Sequence, residues 1–241
     1  MKALQIILFT IITLTGCAKK ADTAVTKMNS DTTQTTPPSA TSLTYLALGD
    51  SYTVGEAEPT DESFPVQLAS SLTNKGLPTS SPTIIATTGW TTSNLIYAIA
   101  TSDITKKKYD FVTLLIGVND QFQGVAQSTY QTNFVQLLHT AISFVNGDST
   151  RVFVLSIPDY GVTPFAAGRD SIIGPEIDQF NAINKVESIK AGVNYLDITA
   201  ISREAATDPT LIAPDGLHPS AKMYTLWVQQ LYPMVAARLK K

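Results

Sequence analysis

The sequence predicts an α/β fold, a parallel sheet of five strands with helices on both faces. Three observations predict it. From Leu43 onward, short apolar runs alternate with longer stretches of helical periodicity, the pattern of strand–helix–strand units joined by right-handed crossovers. The apolar runs stop abruptly at turn-forming residues, as at Gly49-Asp50-Ser51 and Gly117-Val118-Asn119-Asp120. The chain has 241 residues, 44% of them hydrophobic and 15% charged, which is enough for one sizeable domain with a packed interior and argues against wholesale disorder.

Each element follows from its residues. Leu43 to Gly49 is an apolar run with the character of a buried strand. Phe64, Leu68 and Leu72 share a four-residue spacing and mark a helix from Phe64 to Leu72. Thr83 to Thr87 reads as the second strand, running into Thr88-Gly89-Trp90, and Asn94 to Ala100 as a helix. Lys106-Lys107-Lys108 is a solvated approach to a third strand, Phe111 to Ile116. A long helix follows with Tyr130, Phe134, Leu137, Leu138, Ala141 and Val145 on one stripe, stopped by Asn146-Gly147-Asp148. Val152 to Ile157 is the fourth strand. Residues 159–174, with Gly161, Pro164 and Gly168, form a longer loop suited to a cleft wall or a lid. Pro175 starts a helix to Ile189, Val193 to Leu196 is the fifth strand, and a last helix over 219–239 turns Tyr224, Trp227, Val228, Leu231 and Val235 inward, with a kink expected at Pro233.

The N-terminus reads as an address. Met1-Lys2 is a minimal positive region, and Ala3 to Thr13 is apolar but short for a permanent membrane span. It ends in Leu14-Thr15-Gly16-Cys17, which resembles the lipobox of bacterial lipoproteins. That resemblance implies cleavage after residue 16, acylation of Cys17, and attachment to a membrane of a bacterial cell envelope. Residues 18–42 are rich in Thr, Ser, Ala and Pro, the composition of a flexible tether. The expected division is therefore a signal segment over 1–16, the lipidated Cys17 and tether to 42, and a folded domain over 43–241.

Composition narrows the chemistry. The net charge is −3, and no basic cluster appears beyond the three lysines at 106–108, so a nucleic-acid partner is not expected. One cysteine forbids an intrachain disulfide, and two histidines leave no metal site built on several His and Cys ligands. No G-x-G-x-x-G or P-loop pattern supports nucleotide binding.

The informative stretches all fall where a strand ends or a helix begins, positions that converge at one edge of a parallel sheet. Ser51 stands just past the first strand, as a nucleophile would. The triplet alone fits a helix N-cap equally well. A serine nucleophile needs a base. His139 lies within the long helix, off its apolar stripe, and reads as structural or surface. His218 lies in the turn-rich Pro214-Asp215-Gly216-Leu217-His218-Pro219, and Asp215 is spaced so that one turn carries both side chains, its carboxylate fixing the imidazole tautomer. Gly89, as an unobstructed N–H, and Asn119, as a side-chain amide, offer donors for an oxyanion, with the Ser51 N–H as a third.

With these blocks in order, the chain resembles the SGNH (GDSL) hydrolase superfamily: Gly49-Asp50-Ser51, then Gly89, then Gly117-Val118-Asn119-Asp120, then Asp215-Gly216-Leu217-His218. The resemblance implies a flavodoxin-like three-layer α/β/α sandwich and no metal or organic cofactor. It implies Ser51 as nucleophile, Asp215 as orienter, His218 as base, and Ser51, Gly89 and Asn119 as oxyanion donors. Tyr52 stands where the family's usual pattern has Leu, and Thr88 where Asn often precedes the second-block Gly.

The expected function is a serine esterase acting on short-acyl, above all acetyl, esters of alcohols or sugars. Alternatives are a lysophospholipase or thioesterase, which the tether favours, and a non-catalytic glycan-binding surface lipoprotein. The expected partners are a small-molecule or glycan ester and a membrane through Cys17, with the chain acting as a monomer. Tyr52, Trp90, Phe122 and Tyr160 flank the blocks, as pocket lining or as ordinary packing.

Overall fold

The structure, a computed structural model, describes residues 42–240, so the signal segment, Cys17 and the tether up to residue 41 lie outside the described residues. Five strands, β1 (Tyr45–Gly49), β2 (Thr83–Ala86), β3 (Phe111–Leu115), β4 (Val152–Leu155) and β5 (Asn194–Leu196), pair in parallel in the order β2-β1-β3-β4-β5. This is the flavodoxin-like doubly wound order, in which the winding reverses between β1 and β3 and a crevice opens beyond their C-terminal ends. The central strands β1, β3 and β4 are buried throughout, as continuous apolar runs require, whereas the edge strand β2 is only half-buried.

The helices are α1 (Ser51–Val54), α2 (Phe64–Asn74), α3 (Thr92–Thr101), α4 (Val118–Phe122), α5 (Gln127–Phe144), α6 (Asp170–Lys190), α7 (Thr199–Arg203) and α8 (Ala221–Leu239). One layer pairs α2 with α8, where the Gln67 side chain donates to the Ala221 carbonyl at 3.1 Å and accepts from the Thr225 hydroxyl at 2.8 Å. The other holds α3, α5 and α6, joined by Asn133 donating to Ser93 at 2.9 Å and Gln131 donating to Glu187 at 2.7 Å. The stripes expected on α5 and α8 are buried. Tyr45 stacks on Phe111 with ring centroids 4.3 Å apart, joining β1 to β3 through side chains as well as backbone.

Several boundaries differ from expectation. Leu43 precedes β1 and forms only an isolated bridge with Thr79. α3 starts at Thr92 because Thr91 and Asn94 make a capping box there. α7 was not anticipated, since five residues carry no readable period. The helix after the 159–174 stretch starts at Asp170, not at Pro175, which lies inside α6. Its start is favoured by Asp170 in the first turn, where an acidic side chain faces the positive end of the helix dipole. α8 continues through Pro233 to Leu239.

Residues 160–166 form two short 3₁₀ turns, and the stretch is fastened at its start. Arg203 donates from Nε to Asp159 at 2.8 Å and from Nη2 to Asp178 at 2.8 Å. Asp159 also accepts from the Gly161 N–H at 2.8 Å, and its own N–H donates to the Ser202 hydroxyl at 2.8 Å.

Candidate active site

Gly49 ends β1 because nothing larger fits. A Cβ there would run into the Thr53 hydroxyl and come within 2.5 Å of the Leu115 carbonyl oxygen. The chain turns at once into α1, with Asp50 as its N-cap, accepting from the Tyr52 N–H at 3.0 Å, and Ser51 as its first residue. The capping reading of the triplet holds for Asp50, and Ser51 stands at the sheet's C-terminal edge, 4% exposed. As the first residue of a helix its N–H has no intrahelical acceptor.

Gly89 follows β2 in the turn Thr87–Trp90, closed by the Trp90 N–H on the Thr87 carbonyl at 3.2 Å. Its φ is +83°, the conformation that the third position of a type II turn demands of glycine. The Thr88 hydroxyl donates to Glu56, tying this turn to the segment after α1. From β3, α4 reaches across: Asn119 Nδ2 donates to the Trp90 carbonyl at 3.0 Å, and Gln123 Nε2 to the Gly89 carbonyl at 3.2 Å. Asn119 thereby keeps one amide hydrogen engaged and the other available. Asp120 accepts from the Thr92 N–H at 2.8 Å and the Thr92 hydroxyl at 2.6 Å. The second and third blocks are one hydrogen-bonded unit. Asp120 and Thr92 had no assigned part in the sequence reading, because a bond across 28 positions leaves no local signal.

His218 and Asp215 meet as expected. The Asp215 carboxylate lies 2.5 Å from His218 Nδ1 through one oxygen and accepts the N–H groups of Leu217 and His218, each at 3.0 Å, through the other. That leaves Nε2 as the imidazole's free nitrogen. The His218 ring packs edge-on against the Tyr52 ring, centroids 5.8 Å apart, which brings the histidine turn beside the residue after Ser51. Among the described residues no hydrogen bond joins the Ser51 hydroxyl to His218. His139 is exposed on α5, away from these residues.

The carboxyls differ sharply. Burial pushes Asp50 up to about 8; the Tyr52 N–H opposes this and the neighbouring Asp120 adds to it. Asp50 is fully buried, and its Oδ2 has no hydrogen-bond partner among the described residues. Burial also raises Asp120, against its bonds from Thr92. For Asp215, partial burial is outweighed by the hydrogen bonds from His218 and the Leu217 N–H, and its carboxyl is held below the usual range. Of the four flanking aromatics, Tyr52 and Tyr160 are packed at 3% and 5% exposure, while Phe122 is 53% exposed. Phe165, unnoticed in the sequence, joins Phe122 at the surface. Among the described residues no group of three or more His, Cys, Asp or Glu is placed to hold a metal ion.

Solved structures share this architecture. The lipase/acylhydrolase from Enterococcus faecalis superposes with a TM-score of 0.67 at 19% identity, covering 82% of this chain and 97% of its own. TesA gives 0.65 at 17% identity, covering 81% and 99%. Axe2, an acetylxylan esterase from Geobacillus stearothermophilus, gives 0.62 at 17%, covering 80% and 94%. At these identities the likeness is one of fold. No curated protein matches the chain. The family model of the GDSL-like Lipase/Acylhydrolase family matches residues 47–226, a span that runs from β1 through every block described above into α8. With its blocks gathered at one sheet edge and matched over most of its length, the chain belongs to that family and is a serine ester hydrolase of the GDSL/SGNH type.

Proposed function

We propose that this protein removes short acyl groups, acetyl above all, from esters of alcohols or sugars through a Ser51–His218–Asp215 triad. The observation that carries this is the Asp215–His218 contact of 2.5 Å, on a turn that sets the imidazole ring against Tyr52. Asp215 holds the proton on Nδ1, so Nε2 is a base. It takes the Ser51 proton as Oγ bonds to the ester carbonyl carbon. The carbonyl electron pair moves to oxygen, where the N–H groups of Ser51 and Gly89 and the Asn119 amide receive the charge. The proton on Nε2 passes to the leaving oxygen as the carbon–oxygen bond breaks. Water then attacks the acyl-serine with His218 as base, and the acid departs.

The preference for short acyl groups is supported by the packing of Tyr52, whose bulky ring, 3% exposed, adjoins Ser51. Hydrolysis of p-nitrophenyl acetate, butyrate and octanoate by the wild type and by Ser51→Ala tests the reading. Turnover that falls with chain length and vanishes in the variant supports it. Preference for octanoate moves the assignment to a lysophospholipase or thioesterase. Absence of both turnover and organophosphate labelling moves it to a glycan-binding protein. We further propose that the chain is exported and held on an envelope membrane by acyl groups on Cys17, an anchoring that Cys17→Ser abolishes in membrane fractionation.

A further inference from the structure

Two half-exposed phenylalanines meet beside the reacting groups. Phe122 ends α4, three residues after Asn119, and is 53% exposed; Phe165, on the turn Pro164–Ala166, is 45% exposed. Tyr160, nearly buried, closes the third side. The ring centroids lie 6.2 Å apart for Phe122–Tyr160, 6.1 Å for Phe122–Phe165 and 6.4 Å for Tyr160–Phe165, with interplanar angles of 71°, 47° and 57°. Tilted rings of this kind make a shallow open corner, unlike a flat stack or a tunnel. The corner is tied to the catalytic turn, since the Phe165 N–H donates to the Gly216 carbonyl at 3.0 Å. Its rim is polar. Arg169 and Glu176 are exposed charges near Tyr160, and Gln121 donates to Glu176 at 2.6 Å.

We propose that Phe122, Tyr160 and Phe165 seat the sugar ring of the leaving alcohol. The inference rests on the esterase reading above and names its substrate as an acetylated sugar. A pyranose has C–H faces that lie against aromatic rings and hydroxyl edges that a polar rim satisfies. An alkyl chain on such an open corner keeps one side in water, so an acyl tail gains little there. The position is on the leaving-group side, because His218 protonates the leaving oxygen and Phe165 is bonded to Gly216, two residues away.

The test holds the acyl group constant. Values of kcat and KM are measured with the full chain for glucose 6-acetate and for ethyl acetate, whose alcohol is too small to reach the corner. In Phe122→Ala and in Phe165→Ala the kcat/KM ratio of sugar ester to ethyl acetate falls about 3- to 10-fold, through KM. Phe165→Trp keeps the ratio, and Tyr97→Ala, on the exposed face of α3, leaves it unchanged. Calorimetric titration of Ser51→Ala protein, with and without Phe165→Ala, reads the same loss as weaker glucose 6-acetate binding. A ratio that does not move, or that moves through kcat alone, overturns the proposal. So does a selective loss of ethyl octanoate, which would make the corner an acyl seat. A wild type that hydrolyses ethyl acetate but shows no preference for the sugar ester overturns this inference alone. A wild type that hydrolyses neither overturns the esterase reading with it.

Discussion

Asp50 and Asp215 are the same side chain in two positions of one site, and their surroundings drive them in opposite directions. Asp50 lies beside Ser51, fully buried, with one oxygen on the Tyr52 N–H and the other without a partner among the described residues. Asp215 lies on a surface turn, its side chain one-third exposed, with three hydrogen-bond donors around it. Burial without compensation favours the neutral acid, and donors aimed at the carboxylate favour the charged one. A capping acid next to the serine and a carboxylate bonded to the histidine therefore differ through placement.

Substitutions break or sharpen that contrast, and they separate by size. Ser51→Ala sets the upper limit, a loss of about 10⁶ in kcat on p-nitrophenyl acetate. Asp215→Asn keeps the shape of the turn but offers Nδ1 an amide in place of a carboxylate, and the histidine loses its fixed tautomer. We expect a fall of about 10⁴ in kcat with little change in KM. Asn119→Ala removes one oxyanion donor and releases the Trp90 carbonyl, for a loss of about 10²–10³ in kcat. Full activity in that variant would remove Asn119 from the mechanism.

Asp50→Asn is expected to have the smallest effect on turnover, because asparagine is nearly isosteric with the neutral acid and caps a helix as well. Its effect appears in stability against pH. The folded pKa of Asp50 is raised from about 3.8 to about 8, so the folded state binds the proton more tightly than the unfolded chain does. That contribution to stability is fully present below about pH 4 and is lost as pH rises to about 8. Denaturant midpoints for wild type and Asp50→Asn should separate progressively over that window, in favour of the variant, and run parallel above it. Curves that stay parallel throughout would mean that Asp50 is ionised in the folded protein.

The sheet was legible because its strands carry continuous apolar runs that end at turn residues, and the α5 and α8 stripes were legible from their helical spacing. The Asp215–His218 pair was legible for a different reason: both residues lie on one turn, so sequence distance and spatial distance coincide. What escaped was held together across the chain. Asp120 bonds Thr92, and Arg203 clamps Asp159 across 44 positions, and such pairs imprint no period on the sequence. Pro175 misled because proline favours a helix start, while the Asp170 turn extends α6 further toward the N-terminus. Phe165 escaped because an isolated aromatic in a loop looks like packing until its exposure is known.

The edge position of β2 has a consequence for heat. Ser51 and Asn119 follow β1 and β3, buried in the middle of the sheet, whereas Gly89 hangs from a half-buried border strand. Border segments open locally at less cost than the global unfolding free energy. Amide hydrogens over residues 83–90 should therefore exchange with deuterium sooner than those of the inner strands. On warming, turnover should fade reversibly while the inner strands remain protected, with Ser51 still in place and the donor proposed at Gly89 displaced.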